Sequence, residues 1–422
     1  MKHQKHQMEN EILYQIFLRT FSPDGTLKKA TEMLPHVAST GVTTIYLAPV
    51  FEADDDMDPA FWSRRQKASE SGNPKNTYRM KDYFHVDPEY GTDEELHTFV
   101  EKAHELGLKV LFDLVYFHCG PKATFLYENP DFCEWENGAP KLGLWNFPVL
   151  NYECQGLREY LWSNMEYFVR EYDVDGYRCD VGDRIPLDFW AEGIRRIRAI
   201  KPELMMLNEG HDTDYLTEFD IQYCWEWRRV IIGRMITEKL TAQDIRSCVL
   251  NEAAQGRAIR YTENHDTASD SYDERFEKMV PTVVADACMV MNFVLPGVPL
   301  LYNGQEVLDT HNCNMFCNRF YRPGNVVDWS MLCTHRGQRR MQLIRDLCDL
   351  YRKHPVLRTG DCELPDTGEA LFTVFRMNED ETLQILWNTG EESVPVEAGE
   401  VLLSDGYTDG MLAPKGWLIA VK

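Results

Sequence analysis

The sequence predicts an α/β fold, a (β/α)8 TIM barrel followed by an antiparallel β domain, and three observations predict it. Short apolar runs alternate with amphipathic helical stretches as far as Lys353, and a repeated strand–helix–strand order implies parallel pairing. Several of these runs end in a polar or acidic residue, as barrel strands do at the mouth. After His354-Pro355 the texture changes to short extended runs with turns between them.

The elements follow in order. Glu11 to Leu18 is an apolar, aromatic strand, and Ser22-Pro23-Asp24-Gly25 is a turn. Thr26 to Ser39 carries Leu27, Ala30, Leu34 and Val37 at helical spacing, and Gly41 closes it. Val42 to Leu47 is a second buried strand. Val50 to Gly72 reads as loop, with acids at Asp54, Asp55 and Asp56 and an aromatic pair at Phe61-Trp62. Thr92 is placed to cap a helix from Asp93 to Leu106. Lys109 to Val115 is the third strand. Cys119 to Tyr152 is rich in Pro, Trp, Phe and Gly and shows no period, and Glu159 to Glu171 is the next helix. The fourth strand ends at Cys179. The helix Pro186 to Ile200 stops at Lys201-Pro202. Glu203 to Asn208 and Asp220 to Trp225 are the fifth and sixth strands, and Arg228 to Ala254 is helical. Arg257 to Thr262 is the seventh strand and Thr282 to Val294 an apolar helix. Gly297 to Glu306 is the eighth strand with its loop, and Arg336 to Lys353 is a final amphipathic helix. Leu371 to Arg376, Thr382 to Trp387, Val394 to Val396 and Trp417 to Val421 are strands of the last region. The expected division is 1–354 for the barrel and 355–422 for a C-terminal β-sandwich.

The formal net charge of −24 argues against nucleic acid and anionic membrane as partners, while a neutral sugar is compatible with it. Met1 to Asn10 is polar and carries no secretory signal, and no run of about 18 apolar residues occurs. Twelve cysteines lie at no framework spacing, which reads as reduced thiols in a cytoplasmic protein. His311, Cys313 and Cys317 lack the paired short-spaced cysteines of a zinc site, so no metal and no cofactor is expected.

The chemistry centres on Asp173-Val174-Asp175-Gly176-Tyr177-Arg178-Cys179-Asp180-Val181-Gly182-Asp183. On an extended strand Arg178 and Asp180 point to one face. An Arg beside a carboxylate favours its ionised form, which a carboxylate nucleophile requires. Taken alone, the stretch reads equally as an ion pair at a strand end. Three further stretches change the balance: Asp113 to His118, Met206 to Gly210, and Glu263-Asn264-His265-Asp266. Together they supply Asp180, Glu209 and Asp266, with Arg178, His118 and His265. Two carboxyls flanking a bond, about 5–5.5 Å apart, are what retaining glycoside hydrolysis needs.

In order and spacing, these four stretches resemble the signature regions of the α-amylase family of glycoside hydrolases, and the resemblance covers nearly the whole chain. It implies that Asp180 is the nucleophile, Glu209 the acid/base and Asp266 the transition-state stabiliser. It implies that Arg178 orients Asp180, that His118 and His265 bind sugar hydroxyls, and that Tyr78, in Tyr78-Arg79-Met80-Lys81-Asp82-Tyr83, stacks on the sugar. Asp82 and Glu306 are expected to be structural. The family's extra domain after the third strand is here a short insertion, 119–154. Where many members carry a calcium-binding Asn before the motif His, this chain has Phe117, which offers no oxygen. The positions three and four after Asp180 are Asp183 and Arg184, not the Lys-His of secreted amylases. The run Asp180-Val181-Gly182-Asp183 is similar to that of intracellular cyclomaltodextrinases and neopullulanases, whose extra N-terminal domain has no room before Glu11. The implied activity is hydrolysis of α-1,4-linked glucans or maltooligosaccharides. The alternatives are a 4-α-glucanotransferase or glucoside isomerase with the same acids, and a sugar-binding protein with a decayed site.

Overall fold

The computed structural model describes residues 8–234, 240–269 and 275–422. Eight strands close a parallel barrel: β1 Leu13–Ile16, β2 Thr44–Leu47, β3 Lys109–Leu114, β4 Gly176–Cys179, β5 Met205–Asn208, β6 Ile221–Tyr223, β7 Ala258–Arg260 and β8 Val298–Tyr302. Each pairs with its sequence neighbour, and β1 closes on β8 with Leu13 opposite Leu300. The period-2 alternation of a strand sorts the side chains. Leu13, Tyr46, Leu111, Leu207, Ile259 and Leu300 fill the barrel interior, while Tyr14, Ile45, Phe112, Tyr177 and Met206 meet the surrounding helices. The interior is therefore a packed core, and any site must sit at a mouth.

The helices form for local reasons legible in their ends. Thr26 caps Leu27–Ser39 by accepting the Lys29 N–H. Thr92 and Glu95 form a reciprocal capping box on Asp93–Glu105. The start of β4 requires Gly176: at φ 155° a Cβ would lie 2.1 Å from the Met205 carbonyl oxygen of the neighbouring strand. The stretch Arg228 to Ala254, expected to be one helix, crosses 235–239, which lie outside the described residues. On either side of them it is broken, into Trp225–Arg228 with a π turn at Arg229–Gly233, and Ala242–Leu250. Cys119 to Tyr152 folds into two 3-10 turns and a small hairpin, Trp135–Glu136 with Ala139–Pro140.

Beyond the long helix His335–Lys353 and the short helix Val356–Thr359, six strands form an antiparallel sheet: β9 Asp361–Glu363, β10 Leu371–Met377, β11 Thr382–Asn388, β12 Val394–Pro395, β13 Glu400–Thr408 and β14 Met411–Val421. β9 and β13 carried too little apolar alternation to be expected. In place of a two-sheet sandwich, the strands make a single sheet. Leu383, Ile385, Trp387, Trp417 and Ile419 point from one face into the main core, where helix Thr282–Val294 packs on β14. Leu386, Leu412, Leu418 and Ala420 form a small separate cluster on the other face. The barrel's helices thus take the place of a second sheet. Among the described residues, no helix is long and apolar enough to cross a membrane.

Candidate active site

Asp180 and Glu209 stand one residue past the ends of β4 and β5. The Asp180 N–H donates to the Leu114 carbonyl at 2.9 Å and the Glu209 N–H to the Cys179 carbonyl at 3.0 Å, so the strand ladder itself sets both at one rim. Asp266 reaches that rim from the turn after β7. There Asn264 and Thr267 exchange hydrogen bonds, the Asn264 N–H donating to Thr267 Oγ1 and the Thr267 N–H to Asn264 Oδ1. All three acids line one pocket of about 90 Å³ with Tyr78, His118 and His265.

Arg178 is the hub. It is wholly buried, 0% exposed, inside a ring of Tyr46, Tyr78 and Tyr223, each with its ring centroid 5.7–5.8 Å from the guanidinium carbon. Nη1 donates to Asp113 Oδ1 at 2.7 Å and to Asp180 Oδ1 at 2.9 Å, and Nη2 pairs with Glu209 Oε2 at 2.7 Å. One guanidinium therefore faces three carboxyl groups. Burial pushes the Asp180 and Glu209 carboxyls up; Arg178 opposes this, and neighbouring acids add to it. With more carboxyls than cations, the cluster favours retaining a proton, shared between groups that titrate as a set. Among the described residues, Asp180 and Glu209 each keep one carboxyl oxygen without a protein hydrogen bond, Oδ2 and Oε1.

The backbone between these acids is strained. Val181 lies at φ 39°, ψ 44°, a left-handed conformation that costs a β-branched residue about 1–3 kcal/mol. Its N–H donates to Glu209 Oε2 at 2.9 Å, so the strained turn ties the Asp180 loop to Glu209.

Asp266 has a different cation. Arg65 Nη1 donates to Asp266 Oδ1 and Nη2 to the Asp266 carbonyl, both at 2.6 Å. Burial would raise the Asp266 carboxyl, but attraction to His265 and Arg65 holds it well below the usual carboxylate range. His265 is itself lowered to about 4, mainly by burial, and is neutral near pH 7, so Arg65 sustains the effect there.

The histidines divide. The Gln15 side-chain oxygen accepts the His265 backbone N–H at 3.1 Å, which fixes the amide and directs its Nε2 to donate to His265 Nδ1 at 2.7 Å. His265 Nε2 then carries the proton and donates to Tyr78 Oη at 2.7 Å, and Tyr78 donates to Asp113 Oδ2 at 3.0 Å. Both ring nitrogens of His265 are engaged within the protein. The ring also stacks on that of Tyr78, with centroids 5.1 Å apart. His118 donates from Nε2 to the Tyr78 carbonyl at 2.8 Å and leaves Nδ1 buried with no hydrogen-bond partner among the described residues. Burial lowers it to about 4, so Nδ1 is an acceptor at the pocket wall.

The structure thus brings together Asp180, Glu209, Asp266, Tyr78, His118, Arg178 and His265. Sequence reasoning gave no role to Asp113, Gln15, Arg65, Trp145 or Phe147. An acid and a glutamine inside apolar strands were available signals for the first two. Glu306 is buried, accepting from Tyr14 Oη and the Gly304 N–H, and Asp82 accepts the Phe84 and His85 N–H groups, so both hold loops. Phe117 packs edge-on against Trp145 and offers no oxygen, so this position does not fit a calcium ligand.

Residues 7–132 match the family model described as the alpha amylase catalytic domain. The chain is 24% identical over 315 residues to a cyclomaltodextrinase from Thermoanaerobacter pseudethanolicus, which covers 67% of this chain and 50% of that protein. It is 24% identical over 447 residues to a maltogenic alpha-amylase from Bacillus acidopullulyticus, covering 92% of this chain and 70% of that one. The chain therefore spans half of the first relative's length and 70% of the second's. Among solved structures, an alpha-amylase from Lactobacillus plantarum superimposes with a TM-score of 0.79 at 24% identity, over 99% of both chains. An alpha-amylase from Geobacillus thermoleovorans, complexed with acarbose, gives 0.78 at 21% identity, over 99% of both chains. At such identities the structural likeness speaks for the fold.

Proposed function

From the match of residues 7–132 to the alpha amylase catalytic domain and the 24% identity to a cyclomaltodextrinase and a maltogenic alpha-amylase, we propose that the chain is a member of the α-amylase family and a retaining α-glucoside hydrolase acting on α-1,4-linked glucans or maltooligosaccharides. The observation that carries the reading is the double engagement of Arg178. One buried guanidinium holds one oxygen of Asp180 and one of Glu209, leaving each carboxyl a second oxygen for the pocket.

In this reading Glu209 Oε1 carries the shared proton and gives it to the glycosidic oxygen as the bond to the anomeric carbon breaks. Asp180 Oδ2 attacks that carbon from the opposite face and forms the glycosyl-enzyme. Glu209, now ionised, takes a proton from water, which attacks the same carbon and releases Asp180. Asp266, kept ionised by Arg65, accepts hydrogen bonds from sugar hydroxyls and tightens on them as positive charge develops in the ring. His118 Nδ1 accepts one further hydroxyl, and Tyr78, Trp145 and Phe147 offer apolar rings to the sugar's faces.

The catalytic unit is taken as 1–354, with 355–422 bracing its helices. Twelve cysteines at no framework spacing support a cytoplasmic location, as does the 24% identity to an intracellular maltogenic amylase from Bacillus subtilis. The substrate is the only partner assigned. Chromatography of products from maltooligosaccharides tests the reading. A net rise in reducing ends is expected, whereas only longer or rearranged sugars would assign the chain to the transferases or isomerases.

A further inference from the structure

Beside the catalytic pocket lies a larger cavity of about 600 Å³, within the range of small-molecule sites. The two adjoin. Arg65 lines both, and each of three chain segments contributes to both walls: Ser63 and Arg64, His265 and Ser269, Asn314 and Met315. The chain carries 68 acids against 44 lysines and arginines. Yet the lining of this cavity holds Arg64, Arg65 and Arg322 against Glu70 alone among the described residues.

The cations are not all spent on the protein. Arg65 serves Asp266. Arg322 gives one N–H to the Ser69 carbonyl at 2.9 Å and makes no ion pair among the described residues, and Arg64 is exposed and likewise unpaired there. Arg322 sits at φ 55°, a left-handed conformation of the kind that gathers at ligand sites. Asn314 Oδ1 accepts the Phe316 N–H at 2.9 Å, which leaves its amino group as a donor at the cavity wall. Two guanidinium forks with no ion pair among the described residues, together with an amide, match an oxyanion of several acceptor oxygens.

We infer that this cavity receives a phosphate monoester on the substrate, so that the chain acts on a phosphorylated α-glucoside with its charged group beside Asp266 and Arg65. The inference deepens the hydrolase reading and rests on it for turnover, but not for binding. A phosphate offers its oxygens to Arg64 and Arg322 at once, which the single plane of a carboxylate does less well.

Calorimetry on the full chain tests binding apart from catalysis, with glucose 6-phosphate, glucose, glucuronate and inorganic phosphate as probes. Glucose 6-phosphate should bind at least about tenfold more tightly than glucose, as charge-assisted hydrogen bonds to two arginines require. The Arg64→Ala/Arg322→Gln variant should lose that margin, and Arg322→Lys should keep part of it. In assays, phosphorylated maltose should show a higher kcat/KM than maltose, and the double variant should erase the difference while still cleaving maltose. Equal affinity for glucose and glucose 6-phosphate overturns the inference. So does tighter glucuronate, which would assign a carboxylate, or inorganic phosphate binding that glucose 6-phosphate cannot match. If maltooligosaccharides are cleaved with no effect of phosphate, this inference falls and the hydrolase reading stands. If no α-glucoside is cleaved but glucose 6-phosphate binds through the arginines, the reverse holds.

Discussion

The two sides of the acid cluster are built differently. Asp180 and Glu209 answer to Arg178, a strand residue with no exposure, fixed by Asp113 and a ring of tyrosines. Asp266 answers to Arg65, which comes from the five-residue helix Arg64–Ala68 in the loop after β2 and whose side chain is 35% exposed. The first cation is part of the barrel, and the second is brought in by a loop. The consequence is electrostatic. On the Arg178 side burial and crowding outweigh the cation and push carboxyls up, whereas on the Arg65 side a less crowded pair pulls its carboxyl down. Groups whose environments push their pKa values apart can divide proton transfer from charge stabilisation.

The comparison breaks first at the nucleophile. Asp180→Asn should cut kcat by on the order of 10⁴-fold or more on every substrate, since a member of a catalytic unit is lost. Glu209→Gln should lose about 10²–10⁴-fold on natural sugars but far less in the first step with a good leaving group. Stopped-flow and steady-state rates on matched substrates check both, and equal losses for all leaving groups in both variants would erase the distinction.

A smaller effect is expected at the loop. Arg65→Ala should lower kcat/KM by roughly 10–100-fold, the size of losing a charge-assisted contact. It should also move the acid limb of the pH profile upward, because the cation that holds the Asp266 carboxyl down is gone. Arg65→Lys should restore the limb better than the rate, since one ammonium cannot bond both the carboxylate and the carbonyl. An unmoved acid limb in Arg65→Ala would show that Arg65 only packs.

The smallest effects are on stability. Buried His118 and His265, lowered to about 4 from 6.5, bind protons more readily when unfolded. Their contribution is therefore complete above about 6.5 and is lost as pH falls towards 4, at most about 3 kcal/mol each. The raised carboxyl of Asp180 works in the other sense: its contribution is present at low pH and lost as pH rises through its folded value. Asp180→Asn should accordingly melt at a higher temperature than the parent near neutral pH while being inactive. A lower melting temperature there would mean that the Arg178 pair outweighs burial.

The same contrast explains what could be read from sequence. Asp180, Arg178 and Glu209 sit on or just past strands, where period 2 fixes the face and an apolar run marks the mouth. The barrel was legible for that reason, as was helix Thr282–Val294, which matches its expected bounds. Arg65 lies in a loop without period, 201 residues from Asp266, and nothing local announces the pair. The engagement of His265 by Gln15, 250 residues away, was hidden for the same reason. The single C-terminal sheet escaped because strands show which face is apolar but not what covers it.

The most direct test of the central claim, that Asp180 and Glu209 are different kinds of catalyst, is azide rescue of the Glu209→Gln variant with α-glucosyl fluoride. Fluoride leaves without a proton, so the glycosyl-enzyme should form in a burst and then stall for want of a base. Azide needs no base and attacks from the face that Glu209 serves, so turnover should recover and yield α-glucosyl azide, while Asp180→Asn gives none of that product. Azide that left Glu209→Gln unrescued, or an α-glucosyl azide formed by Asp180→Asn, would contradict the assignment.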